Sequence, residues 1–217
     1  MMKSISRNAA FIALLLGAGL PACWAQKWEL GVLGGGGFYN TASVTSPAGQ
    51  GDVGFKNAVA AGAFLGNNMG KHFGGELRYE YLPGDLKVSS GGTEATFTGE
   101  AHAIHYDVLF HFAPPDMKIR PFIAGGGGVK VYRGTAAATV TQPLQGLALL
   151  TNTHETKGLG TVAVGLKAQA SRRVGVRVEV RDLITPFPRK VIAEAPGAKI
   201  SGLLHDIVIM GGISILF

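Results

Sequence analysis

The chain has 217 residues, a formal net charge of +6 and 47% hydrophobic residues. That is length for one domain of ordinary size with a substantial apolar face. Thirty-three glycines are too many for a helical protein and lack the strict period of collagen. The basic balance points to anionic counter-charges, and the leader described next makes lipid headgroups or lipopolysaccharide phosphates the expected partners, with no nucleic acid.

The chain opens MMKSISRNAAFIALLLGAGLPACWAQ. Lys3 and Arg7 form a positive n-region, Ala9 to Leu20 an apolar core, and a small-residue pattern ends at Ala25. This predicts a secretory signal peptide over residues 1–25, with the mature domain at 26–217. The apolar run is shorter than the ~20 residues of a spanning helix. Leu20-Pro21-Ala22-Cys23 resembles a lipoprotein box, but Pro21 fits it poorly. Cleavage after Ala25 removes Cys23, so the mature chain has neither a disulfide nor thiol chemistry.

Beyond residue 26 the period is two. In Glu76-Leu77-Arg78-Tyr79-Glu80-Tyr81 the charges hold one face and the apolar or aromatic residues the other, and Val176-Arg177-Val178-Glu179-Val180-Arg181 repeats the pattern. Strands are predicted at 27–39, 57–66, 72–82, 96–112, 120–133, 158–169, 174–184 and 203–217. Their connections alternate between long (40–56, 83–95, 134–157, 185–202) and short (67–71, 113–119, 170–173). Long loops at one end and short turns at the other are the pattern of a transmembrane barrel. The expected fold is all-β: an eight-stranded antiparallel transmembrane β-barrel preceded by a cleaved signal peptide, with both termini on the periplasmic, short-turn side.

The last predicted strand alternates Ile207, Ile209, Gly211, Ile213, Ile215 and Phe217 on one face, and the sequence ends at Phe217. At this point it resembles the small eight-stranded outer-membrane barrels of the OmpA and OmpX type. The segments RPFIAGGGGVKVY and GVRVEVRDL look like strands of that superfamily, and the resemblance covers residues 27–217. It implies a bacterial outer-membrane location and a terminal aromatic (Phe217) read by the barrel-assembly machinery; no periplasmic peptidoglycan-binding domain is expected, since the sequence ends with the predicted barrel. It specifies architecture and leaves activity open.

The glycine runs Gly34–Gly37 and Gly125–Gly128 lack the lysine and hydroxyl of a phosphate loop, and no helical pattern follows them. They read as strand glycines that permit curvature and leave room for bulky neighbours.

Three constellations are candidates for chemistry. His102, His105 and His111 lie on one predicted strand, where His102 and His105 face opposite ways. His105 and His111 share a face but lie ~20 Å apart along a strand, too far for one metal. No metal and no cofactor are expected. Thr98, Glu100 and His102 share the outward face near the extracellular rim, the best enzymatic candidate, but without the serine usual in hydroxyl-nucleophile hydrolysis. No catalytic residue is assigned. The third is an ionic lumen, with Glu29, Glu76, Arg78, Glu80, His105, Asp107, Lys167, Arg177, Glu179, Arg181 and Asp206 on the inward parity. Lys130 joins them unless the neighbouring glycines hide a bulge. Mixed signs on one inner face imply mutual pairing, and eight strands leave an interior just wide enough for side chains to fill it.

Aromatic girdles are expected at Trp28, Phe73, Phe112 and Phe217 at one interface and at Tyr79 and Tyr81 at the other. The expected function is a non-enzymatic, monomeric barrel with a structural or surface-interaction role and a possible extracellular ligand at its loops. The alternatives are a lipid A-modifying enzyme and a narrow channel.

Overall fold

A computed structural model describes residues 28–135 and 142–217. The predicted leader over residues 1–25, its cleavage point and Cys23 lie outside the described residues. In chain order the strands are β1 (Trp28–Tyr39), β2 (Ala42–Ser46), β3 (Gly49–Phe55), β4 (Ala58–Asn68), β5 (Phe73–Pro83), β6 (Leu86–Ser90), β7 (Thr93–Phe97), β8 (Gly99–His111), β9 (Ile119–Gly134), β10 (Ala148–Leu150), β11 (His154–Gln169), β12 (Val174–Pro186), β13 (Ile192–Glu194), β14 (Lys199–Ser201) and β15 (Leu203–Leu216).

Eight of them close an antiparallel barrel in the order β1-β15-β12-β11-β9-β8-β5-β4. The closing seam runs from Glu29 opposite Leu216 to Tyr39 opposite Asp206. It ends in a reciprocal pair of bonds, the Trp28 amide to the Phe217 carbonyl at 3.0 Å and the Phe217 amide to the Trp28 carbonyl at 2.9 Å. Closure leaves no strand edge to be satisfied in lipid. Alternation then sorts the side chains. Val32, Leu77, Ile104, Val164, Val178 and Ile213 point outward and are exposed, whereas their neighbours along each strand turn into the lumen.

The pairing of β9 with both β8 and β11 is unbroken from Phe122 to Arg133, so no bulge interrupts the glycine run and Lys130 keeps its inward face. Gly34 and Gly35 show what those runs do. A methyl group on outward-facing Gly34 would meet nothing within 4 Å, whereas one on inward-facing Gly35 would lie 1.9 Å from the Ile209 carbonyl oxygen of β15. Only glycine permits that approach.

The long connections are not the irregular loops expected from their Gly, Ser, Thr and Pro content. β14, β2, β3, β6 and β7 form a five-stranded sheet in that order, and β10 pairs with β13. The predicted strand over 96–112 is divided at Thr98, with β7 in this cap and β8 in the barrel wall. The cap hairpin β6–β7 turns through Gly91 and Gly92 with φ of 55° and 83°, the backbone of a two-residue type I′ turn. Val44, Val53, Leu86, Val88, Leu147, Leu150, Ile192 and Ile200 are buried beneath the cap. Burial is worth ~1.5–3 kcal/mol for each of the larger ones. They share one cluster with Leu33, Leu82, Leu183, Leu204, Val208 and Met210 of the upper barrel. Cap and upper lumen therefore form one apolar core.

Candidate functional site

Below that core the lumen is ionic, and the inward parity of each strand decides which groups meet. Strands β5 and β12 lie across the barrel from one another. Arg177 of β12 donates two bonds to Glu76 of β5, at 3.0 and 2.8 Å. Arg78 of β5 returns the arrangement with bonds of 2.5 and 3.2 Å to Glu179 of β12. Each is a two-pronged guanidinium–carboxylate contact, the strongest geometry for such a pair. Arg78 also reaches Glu76 at 3.1 Å and Glu80 at 3.3 Å.

The layer toward the short turns is completed by Lys167, whose Nζ donates to Glu29 at 2.9 Å and Glu76 at 2.8 Å. In the layer above, Arg181 donates to Asp107 at 2.5 Å and lies 3.4 Å from Glu179 and 3.5 Å from Glu80. His105 lies between two carboxylates, with Nδ1 3.1 Å from Asp107 and Nε2 3.6 Å from Glu80. Lys130 and Asp206 stand apart from this network and pair with each other. The Lys130 ammonium lies 4.8 Å from the Tyr132 ring centroid and 5.8 Å from that of Tyr39.

Parity alone missed the uncharged partners. Thr161 donates to Asp107 at 2.5 Å. The Arg177 guanidinium sits 4.2 Å from the Phe64 ring centroid and 5.1 Å from that of Phe122, within the range of cation–π attraction. All three residues have inward parity, but an aromatic or hydroxyl side chain in a glycine-rich strand does not announce a charge partner. His111 is buried with both ring nitrogens unpartnered. It lies at the short-turn end of the lumen beside Glu29, Asn67, Asn68, Glu76 and Lys167, in a crevice too narrow to hold a water molecule.

The outward rim is a second cluster. Tyr79 Oη lies 2.8 Å from His102 Nδ1, and Tyr81 donates to Glu100 at 3.2 Å. Glu100 is 3.6 Å from His102 Nε2 and 3.4 Å from Arg133. Thr98, expected on the same face, instead occupies the corner between β7 and β8, outside either strand. The carboxylate and imidazole are thus tied to tyrosines. Among the described residues no group of three or more His, Cys, Asp or Glu is placed to hold a metal ion.

At the turn end Trp28, Phe73, Phe112 and Phe217 are exposed on the outer wall, and at the other end Tyr79 is exposed and Tyr81 partly so. Above the barrel, the solvent face of the cap forms a concavity of about 460 Å³ lined by Ser43, Thr45, Gln50, Asp52, Ser89 and Ser90.

The family model described as outer membrane protein beta-barrel domain matches residues 10–190. No curated protein matches the sequence. Among solved structures, neisserial surface protein A is similar at 8% identity over 89% of this chain and 98% of that one, with a TM-score of 0.51. The outer-membrane protease OmpT from Escherichia coli is 11% identical over 92% of this chain and 99% of that one, TM-score 0.49. The N-terminal β-barrel domain of Pseudomonas aeruginosa OprF is 13% identical over 87% and 97%, TM-score 0.46. At such identities likeness extends to the fold alone.

Proposed function

Because the chain belongs to the outer membrane protein beta-barrel domain family and forms a small eight-stranded barrel, we propose that it is a non-enzymatic outer-membrane protein that presents a folded β-cap at the cell surface. The observation that carries this reading is the closed lumen. Glu76, Arg78, Glu179 and Arg177 meet across its centre and are all buried, and the apolar core continues from the upper lumen into the cap. A lumen filled this way supplies neither a water path nor a substrate cavity. What is left to face the surroundings is the cap, with its hydroxyl- and amide-lined concavity.

In this reading both termini are periplasmic, residues 1–25 are a cleaved leader, and the barrel-assembly machinery and outer-membrane lipids are the obligatory partners. The enzymatic alternative rests on Glu100 and His102, whose polar atoms are engaged by Tyr81, Arg133 and Tyr79. Two measurements test the proposal. Planar-bilayer recordings of the wild-type barrel should show no stable conductance, and Glu76→Ala or Arg177→Ala should add at most brief, small openings. Mass analysis of lipid A from cells with and without the gene should give identical species. A steady wild-type conductance, or a lipid A species that vanishes in Glu100→Gln, would refute it.

A further inference from the structure

The two ends of the barrel treat their cations differently. At the cap end most cations are paired: Lys56 and Lys87 both contact Glu94, Arg133 contacts Glu100, Lys157 contacts Glu155 and Arg189 contacts Glu194, whereas Lys190 and Lys199 have no carboxylate within 4.0 Å among the described residues. At the turn end Lys71, Lys118, Arg120, Arg172 and Arg173 have no carboxylate within 4.0 Å among the described residues, and Asp116 is the single acid in the turns over 69–72, 112–118 and 170–173. Lys71, Lys118, Arg172 and Arg173 are exposed.

These cations are held on one arc. The three turns follow one another around the wall, since β4, β5, β8, β9, β11 and β12 are consecutive neighbours. Arg120 Nε donates to the Ala113 carbonyl at 3.1 Å and Nη2 to the Lys71 carbonyl at 3.2 Å, joining the first two turns. The Gln169 amide donates to the Lys118 carbonyl at 2.9 Å, joining the second to the third. A belt of outward apolar groups lies beside them: Met69, Phe73, Phe112, Met117 and Ile119 are each more than half exposed. Exposed apolar and aromatic side chains of this kind mark the boundary of the hydrocarbon layer. The unpaired cations therefore stand at headgroup height, where phosphate is the available counter-charge.

We propose that the short-turn end is a binding surface for anionic phospholipid headgroups, with phosphatidylglycerol-type lipid of the inner leaflet as its occupant. This rests on the reading of the turns as periplasmic. The chemistry required is a phosphate-bearing headgroup with net negative charge and acyl chains that lie along the belt. A soluble acidic partner satisfies the cations but gives the adjoining apolar ring nothing to meet. Neutralising an interfacial cation weakens such binding by about fivefold per charge, and the attraction decays within a Debye length.

The test offers phosphatidylglycerol and phosphatidylethanolamine, of matched chains and in equal amounts, to the folded full chain in detergent. Retained lipid is counted by native mass spectrometry. The wild type is expected to keep phosphatidylglycerol in excess and to lose that preference at high salt. Lys118→Gln/Arg172→Gln/Arg173→Gln should lower phosphatidylglycerol retention by about fivefold per charge removed, while Lys190→Gln/Lys199→Gln at the cap end should leave it unchanged. Heat-modifiable mobility verifies that each variant is folded. Equal retention of both lipids, an unaffected triple variant, or an equal loss in the cap-end variant would overturn the proposal. So would capture of purified peptidoglycan by the turns without lipid preference. Orientation is tested separately, by protease cleavage at the β6–β7 hairpin in intact cells. Cleavage confined to permeabilised cells would overturn the periplasmic placement while leaving headgroup selectivity to be judged on its own.

Discussion

Replacing Lys130 by methionine removes one half of an isolated ion pair and leaves its volume nearly filled. Lys130 and Asp206 are each 1% exposed, and no other charged side chain contacts either one. Asp206 lies opposite Leu183 on one side and Tyr39 on the other, at the foot of the apolar upper lumen. Its Oδ1 already has no partner. Without the ammonium the carboxylate is stranded where little water reaches, and breaking a buried pair in this way costs ~3–5 kcal/mol. Removing both charges, in Lys130→Met/Asp206→Leu, eliminates the stranded group, and such replacements are commonly neutral or stabilising by ~1–4 kcal/mol. The assay is equilibrium unfolding in urea from lipid vesicles, followed by the fluorescence of Trp28 and by heat-modifiable mobility. With a slope of ~1–3 kcal/mol per molar urea, the single variant should lower the midpoint by more than about 1 M. The double variant should recover most of that loss. A single variant within ~1 kcal/mol of wild type, or a double variant as unstable as the sum of its singles, would show that water solvates the pair and that the lumen is open at this level.

Other outcomes follow from the same geometry. Deleting Phe217 removes both backbone bonds to Trp28 at the closing seam and should reduce folded protein in the outer membrane, read as heat-modifiable species in membrane fractions; normal amounts would count against it. Gly35→Ala should block folding because its methyl group meets the β15 backbone, whereas Gly34→Ala, one residue away and facing lipid, should fold normally. Equal yields of the two would contradict the register assigned to β1. In the cap, a hydrogen bond from Lys56 holds the Glu94 carboxyl below its ordinary range, with Lys87 adding to the effect. A carboxylate shifted down stabilises the folded state above its unfolded pKa and loses that contribution as pH falls through the lowered value. Proteolysis of the cap should therefore quicken in acid for the wild type, and Glu94→Gln should flatten this pH dependence.

The barrel was legible because lipid and lumen demand opposite side chains at alternate positions, and Glu76 to Tyr81 and Val176 to Arg181 meet that demand without exception. Parity also gave each lumen charge its face. It gave no partners: Arg78 and Glu179 are 101 residues apart, and only closure in the observed strand order brings them together. Two features escaped for definite reasons. In the upper lumen Val208 faces inward between Ile207 and Ile209, and Leu183 and Leu204 face inward beside outward Asp182 and His205, so the charged-inside alternation that reveals the lower lumen fails there. The cap strands are three to seven residues long. Each buries only a few side chains, such as Val44, Val53 and Val88, among serines and glycines, and so reads as loop. Thr98 was assigned to the outer wall for a related reason, since nothing in the run from Ala95 to Glu100 marks the corner between two sheets.

The shared core of cap and upper lumen bears on how antibodies raised against the folded protein recognise the cap and on how it tolerates engineering. Val44, Val53 and Leu86 hold their strands against one another and against the barrel mouth, so the polar residues on the opposite face keep fixed spacings across segments far apart in sequence. Antibodies against the intact surface will recognise assembled, discontinuous epitopes, and sera raised on linear loop peptides will see little of them. Foreign peptides are best inserted at hairpin tips such as Gly91–Gly92, where nothing lies within 4 Å, provided the insert replaces the turn and does not place ordinary side chains in its positive-φ backbone. Exchanging a whole loop would expose the apolar mouth of the barrel to water.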